Sequence, residues 1–328
     1  MTDEIPRPPG QPPTAAREWQ LIEKLLMSAQ DEQRRARRWG IAFRIAGFAY
    51  LFILLFLFLG RDTGTGGGMT TEHVALVEVN GVIAADADAS ADNIVGGLRD
   101  AFEATHSKAV IVRINSPGGS PVQAGIVYDE IRRLRAENPD KKLYAVIADV
   151  GASGGYYIAA AADEIYVDKA SVVGSIGVIM QGFGAQELIH KLGIESRTMT
   201  SGENKNLLDP FAPVDPAQKQ HVQQMLDTIH AQFIAAVKEG RGDRLKLEEH
   251  PELFSGLFWT GEQAVQLGLA DGLGSSGRVA RDVVGTEDIV NYSYQMSPFE
   301  RLADRFGVSI GRGIASQLGV SAQQPALR

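Results

Sequence analysis

The sequence predicts an α/β protein whose mainly parallel sheet is built by βαβ crossovers and preceded by one N-terminal transmembrane helix. Three observations carry that prediction. From His73 onward, short β-rich runs alternate with helical stretches. Two of the runs lead into glycine-rich turns, Asn115-Ser116-Pro117-Gly118-Gly119-Ser120 and Gly151-Ala152-Ser153-Gly154-Gly155. Between Ile41 and Leu59 the chain carries a single charge, Arg44.

Residues 1–16 hold five prolines and few large apolar groups, a composition that does not support a packed core. From Ala15 to Trp39, the residues Trp19, Ile22, Leu25, Leu26 and Ala29 recur at helical spacing. Residues 1–40 are therefore read as a cytoplasmic tail, partly disordered and then helical. Residues 41–60 are read as a membrane anchor, because nineteen residues at 1.5 Å each span roughly 28 Å, about the thickness of a bilayer's hydrocarbon core. Arg44 lies near the end of that stretch and can snorkel. The flanking Arg34, Arg35, Arg37 and Arg38 put the N-terminal side in the cytoplasm and the remainder outside. A cleaved signal peptide fits less well. The leader of about forty residues is too long, and Leu59-Gly60-Arg61 is a poor cleavage site. Residues 61–72, which include Thr63-Gly64-Thr65-Gly66-Gly67-Gly68, form a glycine-rich linker.

Strands are expected at 73–79, 108–114, 143–148, 164–167, 176–180 and 194–199. Helices are expected at 91–106, 120–137, 154–162 and 185–191. Such alternation implies right-handed crossovers and a buried parallel sheet. After Pro216, residues 217–239 read as a long helix with Val222, Met225, Leu226, Ile229, Phe233 and Val237 on one stripe. A turn-and-helix unit follows from Phe258 to Asp271. These segments make residues 73–290 one folded domain. Residues 291–328 form a C-terminal helical tail with Phe299, Leu302, Ala303 and Phe306 at helical spacing, to which no chemistry is assigned.

Composition removes several classes of function. The chain has no cysteine, which excludes disulfides, thiolate catalysis and cysteine-based metal sites. The formal charge of -8, with no basic stretch in the main body, argues against nucleic acid as a partner. No lysine follows a glycine, so there is no phosphate-binding G-x-x-x-x-G-K loop. No G-x-G-x-x-G is read as opening a helix after a strand. The six histidines form no close pair, and H-E-x-x-H is absent. Neither a metal nor a cofactor is expected.

What remains is the run from Gly151 to Gly155, which matches the G-x-S-x-G pattern of a nucleophile elbow. A glycine turn between strand and helix lets backbone N–H groups converge on a negative centre. Two such turns side by side can present a nucleophile, Ser153, and an oxyanion hole. The same pattern also serves plain close packing, and spacing does not separate the two readings. A histidine triad is a poor fit. His221 and His230 fall within the long helix, and His250 in Glu248-Glu249-His250-Pro251 reads as a solvated turn.

Residues 73–290 resemble the signal peptide peptidase A family, membrane-bound serine peptidases with a fold similar to the Clp protease and crotonase group. The resemblance is carried by Asn115–Ser120, by Gly151–Ala159, by Val173-Gly174-Ser175-Ile176-Gly177-Val178 and by Thr260-Gly261-Glu262-Gln263-Ala264, together with the preceding anchor. It implies that Ser153 is the nucleophile, Lys205 the general base and Ser175 the residue that orients the lysine. On its own residues Lys205 would read as a solvated loop lysine. A free lysine amine has a pKa of about 10.4, so a lysine base acts only where water is excluded. Ser–Lys pairs replace the histidine triad elsewhere. Gly119 and Gly154 are the expected oxyanion donors, with Gly118 open as an alternative to Gly119. The resemblance further implies a short, single-repeat form that assembles into homo-oligomers with active sites shared between protomers. The expected activity is endoproteolysis of remnant signal peptides and other apolar, unfolded peptides at the outer face of the cytoplasmic membrane. A non-catalytic membrane scaffold of the same fold is the alternative.

Overall fold

The computed structural model describes residues 34, 35, 37–55 and 71–295, which fall into two units. In the first, helix α1 (Arg37–Leu55) is exposed throughout and is long and apolar enough to cross a membrane. The end of the expected anchor, the amphipathic stretch before Arg34, the glycine linker to residue 70 and the stripe at Phe299 lie outside the described residues.

The second unit is built on eight strands: β1 (His73–Asn80), β2 (Ser107–Ser116), β3 (Lys142–Ala152), β4 (Glu164–Val167), β5 (Val172–Gly174), β6 (Phe258–Thr260), β7 (Gly272–Leu273) and β8 (Ile289–Asn291). They follow the order β6-β5-β3-β2-β1-β8, with β4 joined to β3 and β7. Every pairing is parallel except β5 with β6. The strands read as near-continuous apolar runs because both faces of the central sheet are covered, as parallel sheets require. One face packs Val77, Val112 and Leu143 against the helices. The other packs Val74, Leu76, Ile111 and Val146 under Val279 and Ala280.

The helices are α2 (Ala91–Glu103), α3 (Pro121–Glu137), α4 (Gly154–Ala159), α5 (Gln186–Lys191), α6 (Pro216–Arg241) and α7 (Gly261–Gln266). Local chemistry sets their starts. Ser90 and Ser120 accept from the third residue beyond them, and Asp215 accepts the Ala217 N–H at 2.8 Å. Pro121 and Pro216 occupy first-turn positions where no N–H is required. Thr260 and Gln263 form a reciprocal capping box.

Two features of β3 position the site. Its first half, Tyr144–Ile147, pairs with β4, whereas Val150–Ala152 pairs with β5. An irregularity in β2 between Ile114 and Ser116 sets Ser116 opposite Gly151. The two glycine turns at the ends of β2 and β3 therefore lie side by side.

Besides the short strands β6, β7 and β8, which the sequence reading did not anticipate, the structure departs from that reading in four places. β3 runs to Ala152 rather than stopping at residue 148, so the turn after it contracts to Ser153. The strand expected at 176–180 is absent, and β5 at Val172–Gly174 takes its place. Ser175, at φ 51°, turns the chain out of the ladder. No strand forms at 194–199, where the residues are exposed and have no neighbour to pair with. Finally, Gly272-Leu273-Gly274-Ser275-Ser276-Gly277 is a G-x-G-x-x-G that does follow a strand and open a helix. That strand has only two residues, and the helical segment runs from Ser276 through a π-helical stretch to Val284; Gly272 and Gly274 lie against the Tyr166 ring, so the glycines serve packing.

The far end of α6 is tied down by Arg241, a fully buried arginine. Its guanidinium donates twice to the Gly268 carbonyl, at 3.0 and 2.9 Å, and grips both carboxylate oxygens of Asp271, at 2.7 and 3.0 Å. Asp271 also accepts the Ile165 N–H at 2.7 Å, which joins α6 to β4. Burial pushes the Asp271 carboxyl up, but the bonds and charge of Arg241 outweigh it and hold the group below its ordinary range.

Candidate active site

Ser153 stands at the junction of β3 and α4 with φ 50° and ψ −122°. These are the angles of the first central residue of a type II′ turn, a place that glycine normally fills. Its N–H donates to the Gly174 carbonyl at 2.8 Å, and its own carbonyl accepts the Tyr157 N–H at 2.9 Å. A backbone held from both sides in this way can keep a side chain in a disfavoured conformation. The Ser153 hydroxyl makes no capping bond to α4.

The neighbouring turn fits against it through glycine. A methyl group on Gly118, at φ 99°, would stand 2.7 Å from both the Gly154 nitrogen and Ser153 Cβ. One on Gly119 would stand 2.1 Å from the Ile83 carbonyl oxygen, because Ile83 and Gly119 form a parallel bridge. The two N–H groups left open by the sequence differ here. The Gly118 N–H donates to Ser116 Oγ at 3.1 Å inside the protein. The Gly119 N–H has no acceptor among the described residues, and Gly119 is exposed where it lines the cavity beside Ser153. Gly154, at the first position of α4, also has an N–H without an intrahelical partner. The geometry therefore favours Gly119 over Gly118 as a donor toward an anion. Ser116, which occupies the Gly118 N–H, was not singled out by sequence reasoning.

Both turns open on a cavity of about 520 Å³. Ser153 and Gly154 line one side, with Gly119 and Pro121 beside them. Ser175 reaches the same cavity from β5, followed by Gly177, Val178 and Ile179. The opposite wall is α6, which contributes Ile229, Gln232 and Phe233. The sequence reading placed Ile229 and Phe233 on the apolar stripe of this helix without giving them a place in the site, and it did not name Gln232. Phe233 packs on Tyr157 with ring centroids 4.8 Å apart, and Tyr157 meets Tyr128 edge-on at 5.3 Å. The Tyr128 hydroxyl donates to the Ala236 carbonyl at 3.1 Å. Burial first, and the charge of Glu239 next, push its phenol up to about 12. Burial likewise raises Tyr157. These phenols stay neutral, and Tyr157, which lines the cavity, offers an aromatic surface there rather than a base.

The expected residues are thus partly brought together. Ser153, Ser175, Gly119 and Gly154 share one cavity. Lys205 does not line it; it is exposed in a turn where its N–H donates to the Gly202 carbonyl at 3.1 Å. His221 and His230 lie on α6, and His250 pairs with Glu252 at 3.1 Å on the surface, which leaves no histidine triad around Ser153.

Comparison with known proteins bears on this arrangement. The model of peptidase family S49 matches residues 135–287, a stretch that contains Ser153, Ser175 and Lys205. The chain is 51% identical over 179 residues to a Brucella melitensis protein named "Na(+)/H(+) antiporter NhaA", a match that takes in 55% of this chain and 24% of that protein. It is 32% identical over 206 residues to the Synechocystis protein named "Putative protease slr0021", covering 63% of this chain and 71% of the relative. It is 29% identical over 217 residues to "Putative signal peptide peptidase SppA" of Enterococcus faecium, covering 64% and 62% respectively. The chain spans about a quarter of the length of the Brucella relative.

Proposed function

Because this chain belongs to peptidase family S49, the signal peptide peptidase A family, we propose that it is a membrane-anchored serine endopeptidase acting on unfolded, apolar peptides. The single observation that carries the reading is the strained backbone of Ser153 beside the N–H groups of Gly119 and Gly154, which have no acceptor among the described residues. Serine is a weak nucleophile until a base takes its proton. In the proposed reaction Lys205, as a neutral amine, removes the Oγ proton while Oγ attacks the scissile carbonyl carbon. The carbonyl π electrons move onto oxygen, and the resulting oxyanion accepts the Gly119 and Gly154 N–H bonds. One such donor contributes about 3 kcal/mol to transition-state stability. Collapse breaks the C–N bond, and the lysine ammonium gives its proton to the departing amine. A water molecule, deprotonated by the same lysine, then attacks the acyl ester; the C–Oγ bond breaks, and the lysine ammonium returns its proton to Oγ, which regenerates Ser153 and the neutral amine.

The exposure of Lys205 within one chain gives this chemistry a condition. We read the base as supplied by a neighbouring copy in a homo-oligomer, with Ser175 orienting it. The helix α1 holds the assembly at the membrane, with residues 1–40 cytoplasmic and the domain of residues 73–290 outside. Remnant signal peptides, which partition into lipid, are the substrates that such an arrangement would meet.

The test uses the full-length chain in detergent. Ser153→Ala and Lys205→Ala are each expected to abolish peptide hydrolysis, and a co-assembled mixture of the two should regain part of it. The second reading is a non-catalytic scaffold, favoured by the position of Lys205 outside the cavity. It gains if a fluorophosphonate leaves Ser153 unlabelled in the assembled wild-type protein.

A further inference from the structure

The cavity has two walls that no strand pairing joins. One is α6, and the other is the segment after β5, where the expected strand at 176–180 does not form. That segment leaves the sheet at Ser175, whose N–H donates to the Leu257 carbonyl at 2.7 Å. Ile176 then buries its side chain completely in the core. Its carbonyl accepts a bond from His230 Nε2 at 3.0 Å. A carbonyl is an acceptor only, so Nε2 carries the proton in this contact. His230 adjoins Ile229 and lies within one helical turn of Gln232 and Phe233, the three residues through which α6 lines the cavity. Ser175, Gly177, Val178 and Ile179 line it on either side of Ile176. The imidazole is therefore the hydrogen-bonded tie between the two walls.

We infer that His230 is a positioning residue that sets the width of the substrate cavity by holding the Ile176 carbonyl, and thereby the 175–179 wall, against α6. The inference rests on the peptidase reading of Ser153. It gives α6 a part in selecting the side chain that precedes the scissile bond. An open contact would let the wall at Val178 and Ile179 move outward, loosening the fit to a large apolar side chain. A small side chain, which does not fill the cavity, depends less on where that wall stands.

The experiment measures kcat/KM of the full-length protein in detergent for two fluorogenic peptides that differ only in leucine or alanine before the scissile bond. His230→Ala should lower kcat/KM for the leucine peptide about tenfold, the kinetic equivalent of one lost hydrogen bond, and lower it much less for the alanine peptide. His230→Phe keeps the volume without a donor and should behave like His230→Ala. His230→Gln, which keeps a donor at similar reach, should restore the leucine preference. General destabilisation would lower both peptides equally, so the ratio separates positioning from folding. An unchanged leucine-to-alanine ratio in both donor-free variants, or a glutamine variant no better than alanine, would overturn the inference. A wild-type protein that cleaves neither peptide and leaves Ser153 unlabelled would instead overturn the peptidase reading beneath it.

Discussion

The backbone of Ser153 allows stability and chemistry to be set against each other in one pair of variants. At φ 50° and ψ −122° the residue occupies a region suited to glycine. A side chain in such a conformation costs about 1–3 kcal/mol. Ser153→Ala removes the hydroxyl but keeps Cβ, and therefore keeps the strain. Ser153→Gly removes both, at the expense of about 0.5–1 kcal/mol of extra freedom in the unfolded chain. Because the serine hydroxyl makes no capping bond to α4, no helix-cap loss confuses the comparison. The difference leaves the glycine variant more stable than the alanine variant by about 1 kcal/mol, and raises Tm by roughly 2–4 °C for a domain of this size. Both variants should be inactive. Unfolding of the full-length protein in detergent, followed by tryptophan fluorescence and by circular dichroism, measures it; Trp259, packed beside Gly174, reports from next to the site. A glycine variant that melts at or below the alanine variant would show that Ser153 is not strained. The structural support for its catalytic role would then be lost.

Gly118→Ala should reduce peptide hydrolysis by at least about 100-fold, the scale of one lost oxyanion donor, because its methyl would press on Gly154 N and Ser153 Cβ. A steady-state assay showing near wild-type activity would mean that the two turns are looser than they are drawn. Asp271→Ala leaves the buried Arg241 guanidinium without its carboxylate and should cost about 3–5 kcal/mol in urea unfolding; a loss below about 1 kcal/mol would contradict that pairing. Stability should also fall in acid. The Arg133 hydrogen bond, against a smaller opposing effect of burial, holds Glu130 at about 2, and Asp163 and Asp271 are likewise held below their ordinary range. Their folded-state values lie below those of the unfolded chain, so the contribution is complete above about pH 4.5 and is lost as pH falls toward 2. Urea midpoints that stay constant across that window would refute this account.

Much of the fold was legible because it depends on nearest neighbours along the chain. The apolar runs of β1 to β3, the periodic stripe of α6 and the start of that helix at Pro216 each rest on local preference. The glycine turns were legible for the same reason, and so was Ser153, the serine at the centre of the G-x-S-x-G run. The identity of Lys205 and Ser175 was of a different kind, since it came from resemblance and not from the physics of their surroundings.

By itself, then, the sequence determined strands β1 to β4 and helices α2 to α7, where the apolar stretch of α1 lies, and that two glycine-lined turns close strands β2 and β3. Only the tertiary structure decided that those turns are neighbours, that the Gly118 N–H is taken by Ser116 while that of Gly119 is left open, and that α6 forms a cavity wall tied to Ile176 by His230. It also decided that residues 176–180 run unpaired and that Lys205 stands apart from Ser153 within one chain. The physical reason is range: caps and periodicity act over a few residues, whereas a ladder partner or a donor's acceptor arrives from a distant segment, and its position is fixed only once the sheet has formed.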